Sequence, residues 1–187
     1  MEIKAILDKI YKLPKDSINN ITDIISEVEY PKGYRLLNAN KVERNIYFIK
    51  TGIARAYIDS SNTEITFWFG KEGDTVVSMK SYVNNQDGYE SIELLEDCVL
   101  YKINTEALNN LFAKDVYIAN WGRKFAEQEL LKTESRLISR QFKTASERYH
   151  ELLRNTPELL QRVQLSHIAS YLGITQVSLS RIRGKLK

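Results

Sequence analysis

Cysteine is nearly absent from this chain. Cys98 stands alone among 187 residues, which excludes an internal disulfide framework and the four thiolates that the usual iron–sulfur cluster needs. Its place in the apolar run CVLYKI marks it as a small core residue rather than a redox sensor. Histidine is almost as scarce: His150 and His167 both lie in the last third, so the strand-borne imidazoles of a metal enzyme cannot be assembled. No apolar run approaches the roughly 18 residues of a membrane span. The amino-terminal MEIKAILDKIYKL interleaves charge with apolar residues and lacks the unbroken apolar centre of a signal peptide. No nucleophile and base pair and no phosphate-binding glycine loop stands out, and acidic pairs occur without a His partner. The expectation is a cytoplasmic protein that is not an enzyme and carries no metal or cofactor. A hydrophobic content of 43% suffices for a buried core and excludes a disordered chain.

What is present is concentrated near the carboxy-terminal end, where residues 165–182 read LSHIASYLGITQVSLSRI. Ala169 falls on the inner face of a first short helix, where a larger side chain would hold a second helix away. Gly173 follows four residues later, where the chain must turn sharply and positive φ costs least. Ile168, Leu172, Ile174, Leu179 and Ile182 recur at helical spacing on the faces that would meet. Gln176, Ser178, Ser180, Arg181 and Arg183 are left pointing outward. Thr175 is placed to cap the second helix, which the pattern starts at Gln176. This is the signature of a helix-turn-helix whose second helix enters a DNA major groove. The charge agrees. The net charge of +3 hides an asymmetry: residues 1–117 hold 14 Lys and Arg against 18 Asp and Glu, whereas residues 118–187 hold 13 against 6, with the excess after Glu134. A basic segment that coincides with a helix-turn-helix points to phosphate contact and to double-stranded DNA as partner.

The rest of the chain changes period twice. MEIKAILDKIYKL and SINNITDIISEVEY read as helices. Residues 34–103 then read as short strands, YRLL, IYFIKTG, IARAYID, EITFWFG, DTVVSM, SIELL and CVLYKI, whose spacing predicts an antiparallel barrel or jelly roll. Helical spacing returns in TEALNNLF, in a long pattern from about 116 to 141, and in residues 144–154, which end at Asn155, Thr156 and Pro157. The fold class is α+β: an antiparallel β-roll over 1–115, a long helix over 116–142 and a helix-turn-helix over 143–187. In the long helix Ile118, Trp121 and Phe125 form one stripe, while Leu130, Leu131, Leu137, Ile138 and Phe142 spread over more than one face. Such a helix packs on its own roll and on a second copy of the chain, giving a homodimer, although the irregular heptad argues against an extended coiled coil.

A small helix, a β-roll, a long helix and a helix-turn-helix in that order resembles the CRP/FNR superfamily of bacterial transcription regulators, over nearly the whole chain. The closing TASERYHELLRNTPELLQRVQLSHIASYLGITQVSLSRIRGKL looks like the branch found in Bacteroidetes, which typically reads ERY, then PxLxxRV, then IASYLGITPETLSRIR. The resemblance implies a homodimer joined by the long helix, a sensory jelly roll of the cyclic-nucleotide-binding type and a winged helix-turn-helix on palindromic DNA, with RNA polymerase as a candidate protein partner. Gln176, Val177, Ser178 and Arg181 are the candidates for base contact. Gln164, Ser166, His167, Thr175, Ser180, Arg183 and Lys185 are the candidates for backbone contact.

Departures from the family pattern sharpen the expectation. Gln176 and Val177 replace the usual Pro-Glu; Val177 cannot accept a hydrogen bond from cytosine but can pack on a thymine methyl, so an altered operator is expected. Residues 157–163 leave little room for the β-hairpin of a wing. Cyclic-nucleotide binders of the superfamily use a Gly-Glu-Leu segment for the ribose and an Arg-Ser or Arg-Thr pair for the phosphate. Here the first falls at Val77 and Ser78, and the second slot, Gly88, Tyr89, Glu90 and Ser91, holds no arginine. Glu90 would repel a phosphate, so a degenerate effector pocket at Val77, Ser78, Met79, Lys80, Glu90 and Ser91 is expected not to answer to cyclic AMP. Either the roll binds an effector of another kind or it is a scaffold.

Overall fold

The computed structural model describes residues 1–60 and 63–184. By its contacts the chain divides into two compact units, Met1–Ala56 with Phe69–Leu130, and Tyr57–Trp68 with Leu131–Lys187. Seventeen elements occur among the described residues: α1 (Ile3–Ile10), α2 (Lys15–Asp23), β1 (Ile25–Tyr30), β2 (Arg35–Leu37), β3 (Asn45–Thr51), β4 (Ala54–Ser60), β5 (Thr63–Gly70), β6 (Thr75–Val76), α3 (Met79–Asn84), β7 (Ser91–Leu94), β8 (Cys98–Asn104), α4 (Thr105–Lys114), α5 (Val116–Phe142), α6 (Ala145–Asn155), α7 (Leu159–Arg162), α8 (Leu165–Leu172) and α9 (Gln176–Gly184). The class is α+β, as expected.

The strands form two four-stranded sheets, ordered β1-β8-β3-β6 and β2-β7-β4-β5. That interleaving, in which the first and last strands are neighbours and the chain alternates between sheets from β1 to β4, is the order of a jelly roll. The pairs β1–β8, β3–β8, β3–β6 and β2–β7 are antiparallel.

Two local expectations are corrected. SINNITDIISEVEY is not one helix: α2 stops at Asp23 and residues 25–30 are β1, with Val28 opposite Leu100 and Tyr30 opposite Cys98. ISEVEY fits either period when read locally, and the ladder to β8 decides for the strand. DTVVSM is not one strand either. β6 ends at Val76 and the chain turns into α3, with Ser78 at its N-cap position and the Tyr82 N–H donating to the Ser78 carbonyl at 2.8 Å.

The core of the first unit lies where helices cover β3 and β8. It joins Ile6, Leu7, Leu13 and Ile21 to Ile46, Phe48, Tyr101, Ile103, Leu108, Ile118 and Trp121. Each large apolar side chain so buried contributes about 1.5–3 kcal/mol. Trp121 stacks on Phe125 at 5.7 Å between centroids and meets the edge of Phe48 at 6.2 Å. Its indole N–H, which would be costly to bury alone, donates to the Leu7 carbonyl at 3.2 Å. α4 is capped by Asn104, whose side chain accepts from the amides of Glu106 and Ala107.

Cys98 is buried, 2% exposed, and burial pushes its thiol up to about 11, so at neutral pH it is an un-ionised packing residue. Its sulfur lies against Gly52, which has φ +106°; a Cβ there would collide with Cys98 Sγ and stand 3.1 Å from the Asp97 carbonyl oxygen. Gly52→Ala is expected to destabilise the protein by about 1–3 kcal/mol in denaturant unfolding, since strain and overpacking act together. An unchanged midpoint would contradict this account of the turn.

Candidate nucleic-acid interface

The helices of the second unit are built from end effects. α6 opens on a capping box: the Glu147 amide donates to Thr144 Oγ1 at 3.2 Å and the Thr144 amide donates to Glu147 Oε2 at 2.7 Å. The Thr144 amide and then its hydroxyl, which donates to the same Oε2 at 2.8 Å, hold the Glu147 carboxyl below its usual range. Glu151 then ties α6 to the end of α5, accepting from Lys143 Nζ and from Ser139 Oγ at 2.8 Å, which lowers its pKa as well, Lys143 being the larger cause. Residues 157–163, expected to be too short for a wing hairpin, hold the single turn α7 with Leu159 and Val163 buried; among the described residues no strand follows β8.

α8 and α9 form the helix-turn-helix. Ile168, Ala169 and Leu172 are buried on α8, and Leu179 on α9. Gly173 takes the left-handed conformation, φ 67° and ψ 35°, and closes α8 with two bonds: its own amide donates to the Ser170 carbonyl and the Ile174 amide to the Ala169 carbonyl, both at 3.0 Å. This is the Schellman closure that glycine favours. Thr175 caps α9, its Oγ1 accepting from the Ser178 amide at 3.1 Å.

Arg148 and Ser170, two residues that the sequence pattern did not single out as functional, fix this motif in its unit. The Arg148 guanidinium donates to three helix-end carbonyls: Arg140 at 3.2 Å, Lys143 at 2.9 Å and Leu172 at 2.5 Å. It therefore joins the end of α5 to the end of α8. ERY in residues 147–149 was the available signal, and its three side chains have separate tasks: Glu147 caps, Arg148 clamps and Tyr149 is buried. Ser170 Oγ accepts from the Thr66 amide at 2.9 Å and donates to the Glu64 carbonyl at 2.7 Å, holding α8 on β5 residues of the same unit.

The outward face of α9 follows from Leu179. At 100° per residue Val177 and Arg181 lie opposite that buried side chain, one turn apart. Both are exposed, Val177 by 61%. Gln176 and Ser180 are exposed on one flank, whereas Ser178 lies on the other, half-buried, with its hydroxyl 3.0 Å from Thr175 Oγ1. Arg183 is exposed near the buried side of the helix. Gln164 and Ser166 are exposed at the start of α8, and His167 beside them is half-buried. Lys185 lies outside the described residues.

The expected effector residues separate. Val77 packs against the apolar core, Met79 and Lys80 are exposed on α3, and Ser91 Oγ accepts from the Ala39 amide at 3.2 Å. Ser78 and Glu90 are buried and come together over Gly88.

Residues 27–115 match the family described as the cyclic nucleotide-binding domain. Around these residues the fold is similar to solved structures over most of its length. FixK2 from Bradyrhizobium japonicum is 22% identical, with a TM-score of 0.72 over 87% of this chain and 84% of its own. The c-di-GMP responsive global regulator CLP from Xanthomonas campestris is 16% identical, with a TM-score of 0.68 over 92% and 91%. A protein from Eubacterium rectale assigned to the CRP/FNR regulators is 19% identical, with a TM-score of 0.71 over 91% and 82%. The matched segment thus lies in a chain with the fold of CRP/FNR-type regulators. At the level of sequence no curated protein matches it. Among the described residues no helix is long and apolar enough to cross a membrane.

Arg148→Met is expected to lower stability by about 2 kcal/mol or more in urea unfolding, because carbonyls lose a charged donor. Arg148→Lys should recover little of that loss, since an ammonium cannot present the guanidinium's planar fork of donors. Full recovery with Lys would reduce Arg148 to a general charge effect.

Proposed function

We propose that this protein is a sequence-specific DNA-binding transcription regulator that acts as a homodimer on a palindromic operator. One observation carries the reading: Val177 and Arg181 stand exposed, opposite buried Leu179, on the second helix of a closed helix-turn-helix. A helix supported in that way offers its outward stripe to a major groove. Gln176, Val177, Ser178 and Arg181 read bases in this proposal. Arg181 suits guanine through a bidentate contact, Gln176 suits adenine, and Val177 suits the thymine methyl. Ser178 contributes only if its hydroxyl turns from Thr175. Gln164, Ser166, His167, Thr175, Ser180, Arg183 and Lys185 serve the phosphates, with the positive end of the α8 dipole favouring an anion there.

The second copy docks along α5. Its first half spends Ile118, Trp121 and Phe125 on the core, but its second half leaves Leu130, Leu131, Leu137, Ile138 and Phe142 between 49% and 76% exposed. Leu130 and Leu137, and Leu131 and Ile138, are seven residues apart, the spacing of a helix pair. Covering this stripe with its own copy removes apolar surface from water and sets two reading helices about one turn of DNA apart, near 34 Å, or a multiple of it. The carboxylate of Glu90 replaces the phosphate-binding arginine, so the regulator does not answer to cyclic AMP. A second reading adds an effector of another kind in the roll, and the convergence of Ser78 and Glu90 favours it.

Selection of bound sequences from random duplex DNA should return an inverted repeat. On that operator Arg181→Ala is expected to cost about 1–3 kcal/mol and to relax one base position per half-site. Equal losses on operator and random duplex would remove Arg181 from base readout. Leu137→Glu with Ile138→Glu should halve the sedimenting mass from twice 21.7 kDa and weaken operator binding. A mass unaltered by that pair would place the dimer seam elsewhere.

A further inference from the structure

Glu90 and Ser78 are buried in the first unit, 5% and 3% exposed, with hydrogen-bonding capacity to spare. Glu90 Oε2 accepts one bond, from the neighbouring Tyr89 amide at 3.2 Å. Ser78 Oγ has no partner. Both groups face one point: a Cβ built on Gly88 would stand 2.6 Å from Ser78 Oγ and 3.3 Å from Glu90 Oε1. Among the described residues no cation pairs with Glu90. Arg55, the buried cation of the sheet, is committed to Glu93 at 3.0 Å, and Lys80 is exposed. A carboxylate withdrawn from water without a cation is unfavourable, and a hydroxyl beside it with no partner adds to the cost.

The missing partner is one that brings positive charge and N–H donors together. An ammonium or guanidinium group makes charge-assisted bonds to the carboxylate and donates to the serine oxygen. A metal ion fits less well, because one carboxylate and one hydroxyl fall far short of the six or more oxygens that a hard cation takes. An apolar surface adjoins the two groups along the chain. Met79 and Val83, one turn apart on α3, are 55% and 65% exposed, and Tyr89, next to Glu90, is 61% exposed. They suit the apolar stem of an organic cation rather than a bare ion.

We propose that the Ser78, Gly88 and Glu90 corner of the roll binds a small organic cation, an amine or guanidine on an apolar stem. The proposal rests on the reading of the roll as a sensor and inverts the charge of the ligand expected from a cyclic nucleotide-binding domain.

The test is calorimetry and thermal denaturation of the full chain with butylammonium, phenethylammonium and butylguanidinium, against butyrate, butanol and cyclic AMP. The cations should raise the melting temperature saturably, while butyrate, butanol and cyclic AMP should not. Glu90→Gln should weaken cation binding about tenfold or more. Without ligand the same variant should melt higher than the parent, because an amide is cheaper to bury than a carboxylate. Ser78→Ala, a smaller change, should weaken the cations alone and serves if Glu90→Gln does not fold. Equal cation effects on parent and Glu90→Gln, or a lower melting temperature of unliganded Glu90→Gln, would overturn the site. Stabilisation by cyclic AMP but not by cations would overturn the cation and leave the sensor standing. Silence of all the probes would overturn both, with operator binding untouched.

Discussion

Helices end with carbonyl groups that have no partner of their own, and in the second unit one guanidinium answers three of them. Arg148 joins the carbonyls of Arg140, Lys143 and Leu172, so the end of α5 and the end of α8 are held by the same planar group. The other contacts of the motif follow from that fixed point. Gly173 can close α8 and Thr175 can open α9 only if α8 stops where it does, and Leu179 is buried only because α9 starts where Thr175 sets it. The direction in which Val177 and Arg181 face is thus a property of helix ends as much as of helix faces.

α5 shows how one helix serves two environments. Its apolar residues do not form a single stripe because its two halves answer to different demands. Ile118 and Trp121 are buried and Phe125 packs against them, whereas from Leu130 onward the large apolar side chains are exposed. Averaged over 27 residues the pattern looks irregular; divided near Gln128, whose side chain donates to the Ile10 carbonyl, each half is regular.

The helix-turn-helix was legible in the sequence because its constraints are local. A buried methyl at Ala169, a positive φ at Gly173 and a cap at Thr175 each leave a residue type behind at a fixed spacing. The jelly roll was legible as a set of short strands, but not its sheet order, since pairing β1 with β8 joins residues about 70 positions apart and no local pattern records it. For the same reason ISEVEY, read locally, continues the helical pattern before it although it forms β1. α3 leaves no legible pattern, because six residues do not establish a period. Arg148 was visible as part of ERY, yet its acceptors are backbone carbonyls, which have no letter in the sequence. In the sequence Glu90 is a charge in the wrong place for a phosphate; that it is buried beside an unpartnered hydroxyl is a tertiary fact.

Ser170 makes a point about chain connectivity. Its single hydroxyl both accepts from Thr66 and donates to Glu64, residues more than a hundred positions earlier. The unit that carries α8 and α9 is therefore discontinuous, with twelve residues drawn from the middle of the chain. A fragment cut at Leu131 would hold the whole helix-turn-helix and still leave Ser170 without either partner. The helix-turn-helix of this protein is not a detachable module, because α8 completes its hydrogen bonds against a strand made long before it.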